Sequence, residues 1–103
     1  MNAPLPPKEI YGAFDNCYNL TAINIPEYVH YISNGSFSGC SNLKIITVHE
    51  NNTYFKAVDN VLYDKNQTKL IQVAGSKTNI TIPDGVIEIA SGAMDGCAKL
   101  NNF

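Results

Sequence analysis

The chain contains no arginine and no tryptophan, and its seven lysines are scattered among nine acidic residues, leaving a net charge of −2. Phosphate recognition needs clustered positive charge, and guanine readout most often uses the arginine fork, so nucleic acid is excluded as a partner. An anionic membrane surface is disfavoured for the same reason. No apolar run approaches the roughly 20 residues that span a bilayer, so no membrane insertion is expected. The segment from Met1 to Glu9, with Pro4, Pro6 and Pro7, lacks the apolar stretch of a secretory leader and reads as an N-terminal extension, 1–9. Cysteine is also scarce. Cys17, Cys40 and Cys97 show no Cys-x-x-Cys spacing and no histidine cluster nearby, which argues against a metal site and implies no cofactor.

What the chain does have is repetition. Phe14, Cys17, Leu20, Ile23 and Ile25 return 23 residues later as Phe37, Cys40, Leu43, Ile46 and Val48. Met94, Cys97, Leu100 and Phe103 give a third copy, and Ile25-Pro26, Val29 and Ile32 recur 57 residues on as Ile82-Pro83, Val86 and Ile89. A period of this size predicts a stacked solenoid, in which one turn cannot bury its apolar face without its neighbours. With 45% hydrophobic and 16% charged residues, 103 residues suffice for one domain with a single core.

Within each repeat, Leu20–Ile25 and Leu43–Val48 alternate apolar and polar positions, as does the shorter Ile80-Thr81-Ile82, and each is expected to be a strand. Their exposed column is Asn24, Thr47 and Thr81. Pro26 and Pro83 end the strands. Second extended stretches follow at Val29–Ile32 and Val86–Ile89, and Gly35, Gly39, Gly92 and Gly96 mark the return turns. The core is expected to hold Leu20, Ile23, Ile25, Leu43, Ile46, Val48, Ile80, Ile82, Val86 and Ile89, backed by Phe14, Phe37 and Met94. From about 49 to 79 the period breaks, with Val61–Tyr63 and Leu70–Val73 flanking a polar turn, Asp64–Thr68, of hairpin type.

The strings Gly39-Cys40-Ser41-Asn42-Leu43, Ile82-Pro83-Asp84-Gly85-Val86 and Asp59-Asn60-Val61-Leu62-Tyr63-Asp64-Lys65 resemble the BspA-type leucine-rich repeat family over residues 10–103. The chain departs from the family pattern at Asn60, where glycine is usual, at Met94 in place of an aromatic, and at Asn16-Cys17-Tyr18. The resemblance implies an α/β fold class: a short leucine-rich-repeat solenoid, a horseshoe segment rich in short strands and tight turns, with one hairpin-like insertion. It further implies a non-enzymatic module at the cell surface or outside the cell, adhering to host proteins or cells.

No catalytic residues are singled out. Cys40 and His49 form a nucleophile–base pair only formally, since the repeat already assigns Cys40 to a buried thiol column. The candidate partner-binding residues are the strand column Asn24, Thr47 and Thr81, with Tyr28 and Tyr31, which flank His30 and place aromatic surface outside the core. The partner is expected to be a protein or a glycan. A structural spacer within a longer array, with no ligand of its own, is the other reading. The last strand stops at Phe103, without residues matching Asn24 and Ile25, so a continuing array or end-to-end self-association is expected to cover that end. Five Asn-x-Ser/Thr tripeptides begin at Asn19, Asn34, Asn51, Asn66 and Asn79, and they bear on function only in a secreting eukaryote.

Overall fold

The structure is a computed structural model in which residues 9, 10, 14 and 16–101 are described. Among them are eight short strands in three sheets. β1 (Glu9–Ile10) pairs in parallel with β3 (Tyr31–Ile32), and β2 (Ala22–Ile25) pairs in parallel with β4 (Ile45–Val48). β5 (Phe55–Val58), β6 (Val61–Asp64), β7 (Lys69–Val73) and β8 (Glu88–Ile89) form one sheet in that order, antiparallel except for the parallel β7–β8 pair.

The 23-residue period of the sequence is a backbone register. Ile23 lies opposite Ile46 and Asn24 opposite Thr47. The return turns repeat just as strictly: the amides of Cys17, Cys40 and Cys97 donate to the carbonyls of Phe14, Phe37 and Met94, and those of Leu20, Leu43 and Leu100 to Cys17, Cys40 and Cys97. These turns also touch one another. Gly39 has φ +81°, and a Cβ there would collide with the side chain of Asn16 in the preceding repeat, so glycine answers both to the backbone and to the stacking.

The expected α/β class is corrected to all-β, because no helix occurs among the described residues. The return segments turn every three residues and are interrupted by residues at positive φ, Asn16 in the first, Gly35 and Gly39 in the next, and Gly92 and Gly96 in the last. A helix cannot propagate through such residues.

The period persists past β4. Asn52 stands 23 residues after Val29, and Phe55 stands 23 after Ile32. Asn52 is buried, and its side chain is fully satisfied: Nδ2 donates to Pro26 O and Val29 O, both at 2.9 Å, while Oδ1 accepts from the amides of Tyr54 and Phe55 at 2.8 and 2.9 Å. This one amide fastens the chain leaving β4 to the turn below it.

The chain then departs into a meander. Asp59 (φ 51°) and Asn60 (φ 60°) form the two-residue turn between β5 and β6, a geometry that favours Asn, Asp and Gly. The predicted hairpin is β6–β7, and β5 is a third strand that the sequence pattern did not reveal. Strand β6 is buried on both faces. Leu62 and Ile71 join Ile25, Phe37, Leu43 and Ile46 in one apolar cluster, whereas Val61, Tyr63, Leu70 and Val73 join Ile80, Ala90 and Ala93 in a second. The expected single core is therefore two, with the meander as their common wall.

Two expectations about the last repeat are corrected. Ile80-Thr81-Ile82 is not a strand, because the β5–β6 turn takes the outer edge of β4, where Asn60 Oδ1 accepts from the Ile46 amide at 3.2 Å. Ile89 is 48% exposed rather than core, since β8 is the outermost strand of its sheet, whereas the matching Ile32 is covered by the next repeat. Ile25, Leu43, Ile46, Ile80 and Phe37 are buried as expected. Leu20, Ile23, Val48, Ile82, Val86, Phe14 and Met94 pack against the clusters while keeping part of their surface exposed. Phe103 lies outside the described residues.

Leu43 is fully buried in a middle repeat, and its carbonyl accepts from the Ser76 amide and hydroxyl. Leu43→Ala is expected to cost about 2–5 kcal/mol in urea or thermal unfolding. An unchanged melting midpoint would remove Leu43 from the core and with it the parallel register of β2 and β4.

Candidate binding surfaces

Two separate surfaces carry the residues singled out by sequence. On the β2–β4 sheet, Asn24 and Thr47 are exposed register partners, and Thr47 Oγ1 donates to Asn24 Oδ1 at 2.8 Å. Thr81 is exposed but belongs to no strand, so it does not extend this pair into a ladder. Tyr31 lies in β3, on the other sheet, and Tyr28 in the turn that precedes it; both rings are exposed.

The same 23-residue spacing that fixes Asn52 sets Tyr54 beside the region of Tyr31. The ring of Tyr54 lies 5.9 Å from that of His30, tilted by 54°. His30, Tyr31, Tyr54, Asp64 and Lys69 line a cleft of about 230 Å³, together with Ile32, Phe55 and Ile71. Of the cleft's residues, sequence reasoning singled out only Tyr31; His30 entered as the residue flanked by Tyr28 and Tyr31, and Tyr54, Asp64 and Lys69 were not assigned to a site. The signal was present: Tyr54 is Tyr31 plus one period.

Both charged groups of the cleft are held in place. Asp64 Oδ1 accepts from the amides of Thr68 at 2.7 Å and Lys69 at 3.0 Å, and Oδ2 accepts from Thr68 Oγ1 at 2.6 Å. Burial pushes this carboxyl up, but hydrogen bonds from the Thr68 hydroxyl and from the backbone of Lys69, Thr68 and Gln67 outweigh it, and the pKa lies below its ordinary value. Lys69 Nζ approaches Glu88 at 3.5 Å across the β7–β8 pair. The cleft thus combines aromatic rings with one carboxylate and one ammonium group, a combination suited to a polar ligand with an apolar face.

A second cavity, of about 410 Å³, opens beside the outer edge of β2. Ile10, Phe14, Leu20, Ile23 and Val29 line it, together with Glu9 and Asn24. Here the half-buried Leu20 and Ile23 have no further repeat against them among the described residues.

The three cysteines are free thiols. Only Cys40 is fully buried, with its Sγ 2.8 Å from Phe14 O; Cys17 and Cys97 keep part of their surface. His49 is engaged locally, its Nδ1 accepting from the Asn51 amide at 3.0 Å. Among the described residues no group of His, Cys, Asp and Glu is arranged to hold a metal ion, and no helix is long and apolar enough to cross a membrane.

The repeated turns, parallel registers and meander fit one class of protein. The profile of the "BspA type Leucine rich repeat region" matches residues 9–77 and 72–103, in six copies, and the chain belongs to that family. Among solved structures it is similar to a leucine-rich repeat protein from Eubacterium ventriosum, with 35% identity over 71% of this chain and a TM-score of 0.66. It is also similar to the pneumococcal vaccine antigen PcpA, with 30% identity over 73% of this chain and a TM-score of 0.68. The chain spans about a fifth of the length of each: 20% of the first and 19% of the second. No curated protein sequence matches significantly.

Two outcomes follow from the buried groups. Thiol reagents should react slowly with the native protein, and Cys40 last. Cys97 is slowed as well, because burial and the nearby Asp95 charge raise its thiol pKa and deplete its thiolate. Three groups should titrate after denaturation, and prompt labelling of Cys40 in the folded chain would contradict its placement. Asp64, with a lowered folded-state pKa, stabilises the fold above the ordinary carboxylate value and ceases to do so as pH falls through the lowered one. Asp64→Asn should therefore flatten the acid limb of the stability profile; an unaltered slope would show that the loop does not depend on this charge.

Proposed function

We propose that this chain is one section of a short solenoid that acts as a non-enzymatic interaction module, displayed on a cell surface or secreted, and that it binds a protein or glycan through the aromatic cleft. The supporting observation is the convergence of exposed His30, Tyr31 and Tyr54 on one concave site with Asp64 and Lys69. Exposed aromatic rings over a rigid scaffold are the usual anchors of such contacts. Tyr28 is exposed in the turn before β3, while Asn24 and Thr47 form a separate polar contact area and Thr81 is exposed outside both. Adhesion to host proteins or cells is the role that family membership and the likeness to a pneumococcal antigen favour.

The apolar cavity at the β2 edge favours a second reading, in which the segment spaces other domains and its ends stack on further repeats or on a second copy. The relatives, about five times longer, are consistent with stacking on further repeats.

Binding of the purified chain to immobilised matrix glycoproteins, a glycan array and cultured mammalian cells separates these readings. Tyr31→Ala and Tyr54→Ala should each weaken binding about tenfold or more while leaving the melting midpoint unaltered. Binding that survives both changes but is lost on replacing Asn24 and Thr47 would move the contact to the β2–β4 sheet. Absence of any binding by the unaltered chain would leave the spacer.

A further inference from the structure

The ten asparagines between residues 16 and 79 divide into two groups by what their side chains do. Asn16, Asn24, Asn42, Asn52 and Asn60 all make side-chain hydrogen bonds: with the Tyr18 hydroxyl, the Thr47 hydroxyl, the Tyr18 carbonyl, the turns at Pro26 and Val29, and the Ile46 amide respectively. Asn19, Asn34, Asn51, Asn66 and Asn79 make none, and all five are exposed. The second group is the set of asparagines that begin Asn-x-Ser/Thr tripeptides, with Thr21, Ser36, Thr53, Thr68 and Thr81 at the third position and no proline between.

Their number is also high. Thirteen Asn and twelve Ser or Thr in 103 residues lead to about one or two such tripeptides by chance, against the five present. None of the five lies inside a strand, and none lines either cavity. Asn19, Asn34, Asn51 and Asn66 sit in turns, and Asn79 sits in the link before Ile80. A bulky polar group on any of these amides would displace no side-chain hydrogen bond, and only Asn66, in the β6–β7 loop, lies close in sequence to the Asp64 and Lys69 of the cleft.

We propose that Asn19, Asn34, Asn51, Asn66 and Asn79 are N-glycosylation sites, and that the chain is made in a eukaryotic secretory route. The co-substrate is an oligosaccharide carried on a polyprenyl diphosphate. Its anomeric carbon–oxygen bond breaks, the electron pair departs with the diphosphate, and the anomeric carbon bonds to Asn Nδ2, which loses one proton. At two sites the acceptor tripeptide is tied up once folded: Ser36 is buried and bonded to Ser33, and the Thr68 hydroxyl is bound to Asp64. Transfer at Asn34 and Asn66 therefore precedes folding. The proposal rests on display outside the cell. It adds that the turns carry a hydrophilic coat.

The test uses the native chain from its source cells. Surface biotinylation of intact cells reports location, and peptide mapping after peptide N-glycosidase treatment in heavy-oxygen water reports modification. Heavy-labelled Asp at most of the five positions, and at none of Asn16, Asn24, Asn42, Asn52 and Asn60, is the expected result. A biotinylated chain with all five recovered as unmodified Asn would overturn the proposal and leave the surface reading standing. An unmodified chain that escapes biotinylation and is absent from the culture medium would overturn both. The chain secreted from a eukaryotic host should also keep its melting midpoint within a few degrees after enzymatic trimming of the glycans; a large drop would show that the sugars replace contacts rather than coat free turns.

Discussion

Strand β6 is buried on both faces, and much of the rest of the structure is arranged around that fact. A strand alternates its side chains between two sides, so Val61 and Tyr63 on one side and Leu62 on the other each need an apolar partner surface. The first two repeats supply one through Ile25, Leu43 and Ile46, and the last supplies the other through Ile80, Ala90 and Ala93. Neither set of repeats is large enough to form an ordinary core alone. The meander that interrupts the period is thus what joins the two parts of the repeat. Close approach by its C-terminal arm is part of that fit: a Cβ on Gly75 would run into the Cys40 carbonyl.

This arrangement separates the two candidate surfaces. The β2–β4 sheet ends against the Asp59–Asn60 turn, held there by the Ile46–Asn60 hydrogen bond and by Lys77, whose Nζ donates to Asp59 O at 2.9 Å and lies 3.0 Å from its Oδ2. On the other side, the departure of the chain at Phe55 leaves a gap between β3 and the β6–β7 loop. The aromatic cleft is that gap. Asp64, Lys69 and Ile71 of its lining come from the meander and His30, Tyr31 and Ile32 from the preceding repeat, so the meander both joins the two apolar clusters and helps to form the cleft.

Much of the architecture was legible in the sequence because backbone stacking forces equal spacing on equivalent side chains. Ile23 with Ile46, Phe37 with Phe14, and the three Cys–Leu turns all follow from it. The α/β class was not, because it came from resemblance, while the glycines at positive φ that forbid a helix were visible in the chain. β5 was missed because Phe55-Lys56-Ala57-Val58 carries only a weak alternation. Ile89 was misplaced because the pattern shows which side faces inward but not whether another repeat covers it. Of the site, Tyr31, next to His30 and beside the inward Ile32, was legible as an exposed aromatic. Asp64 and Lys69 reach them only through the path of the meander, which local spacing does not encode.

If β6 is a common wall, the two apolar clusters cannot unfold separately. Amide hydrogen exchange followed through a urea titration tests this most directly. Protected amides of β4, of β6 and β7, and of the segment around Ala90–Ala93 should converge on one opening free energy and one dependence on urea, as for a single cooperative unit. Exchange of the Ala90–Leu100 region at clearly lower urea than β4, with β6 following only one of them, would show two independent units and contradict the role of β6 as their shared wall.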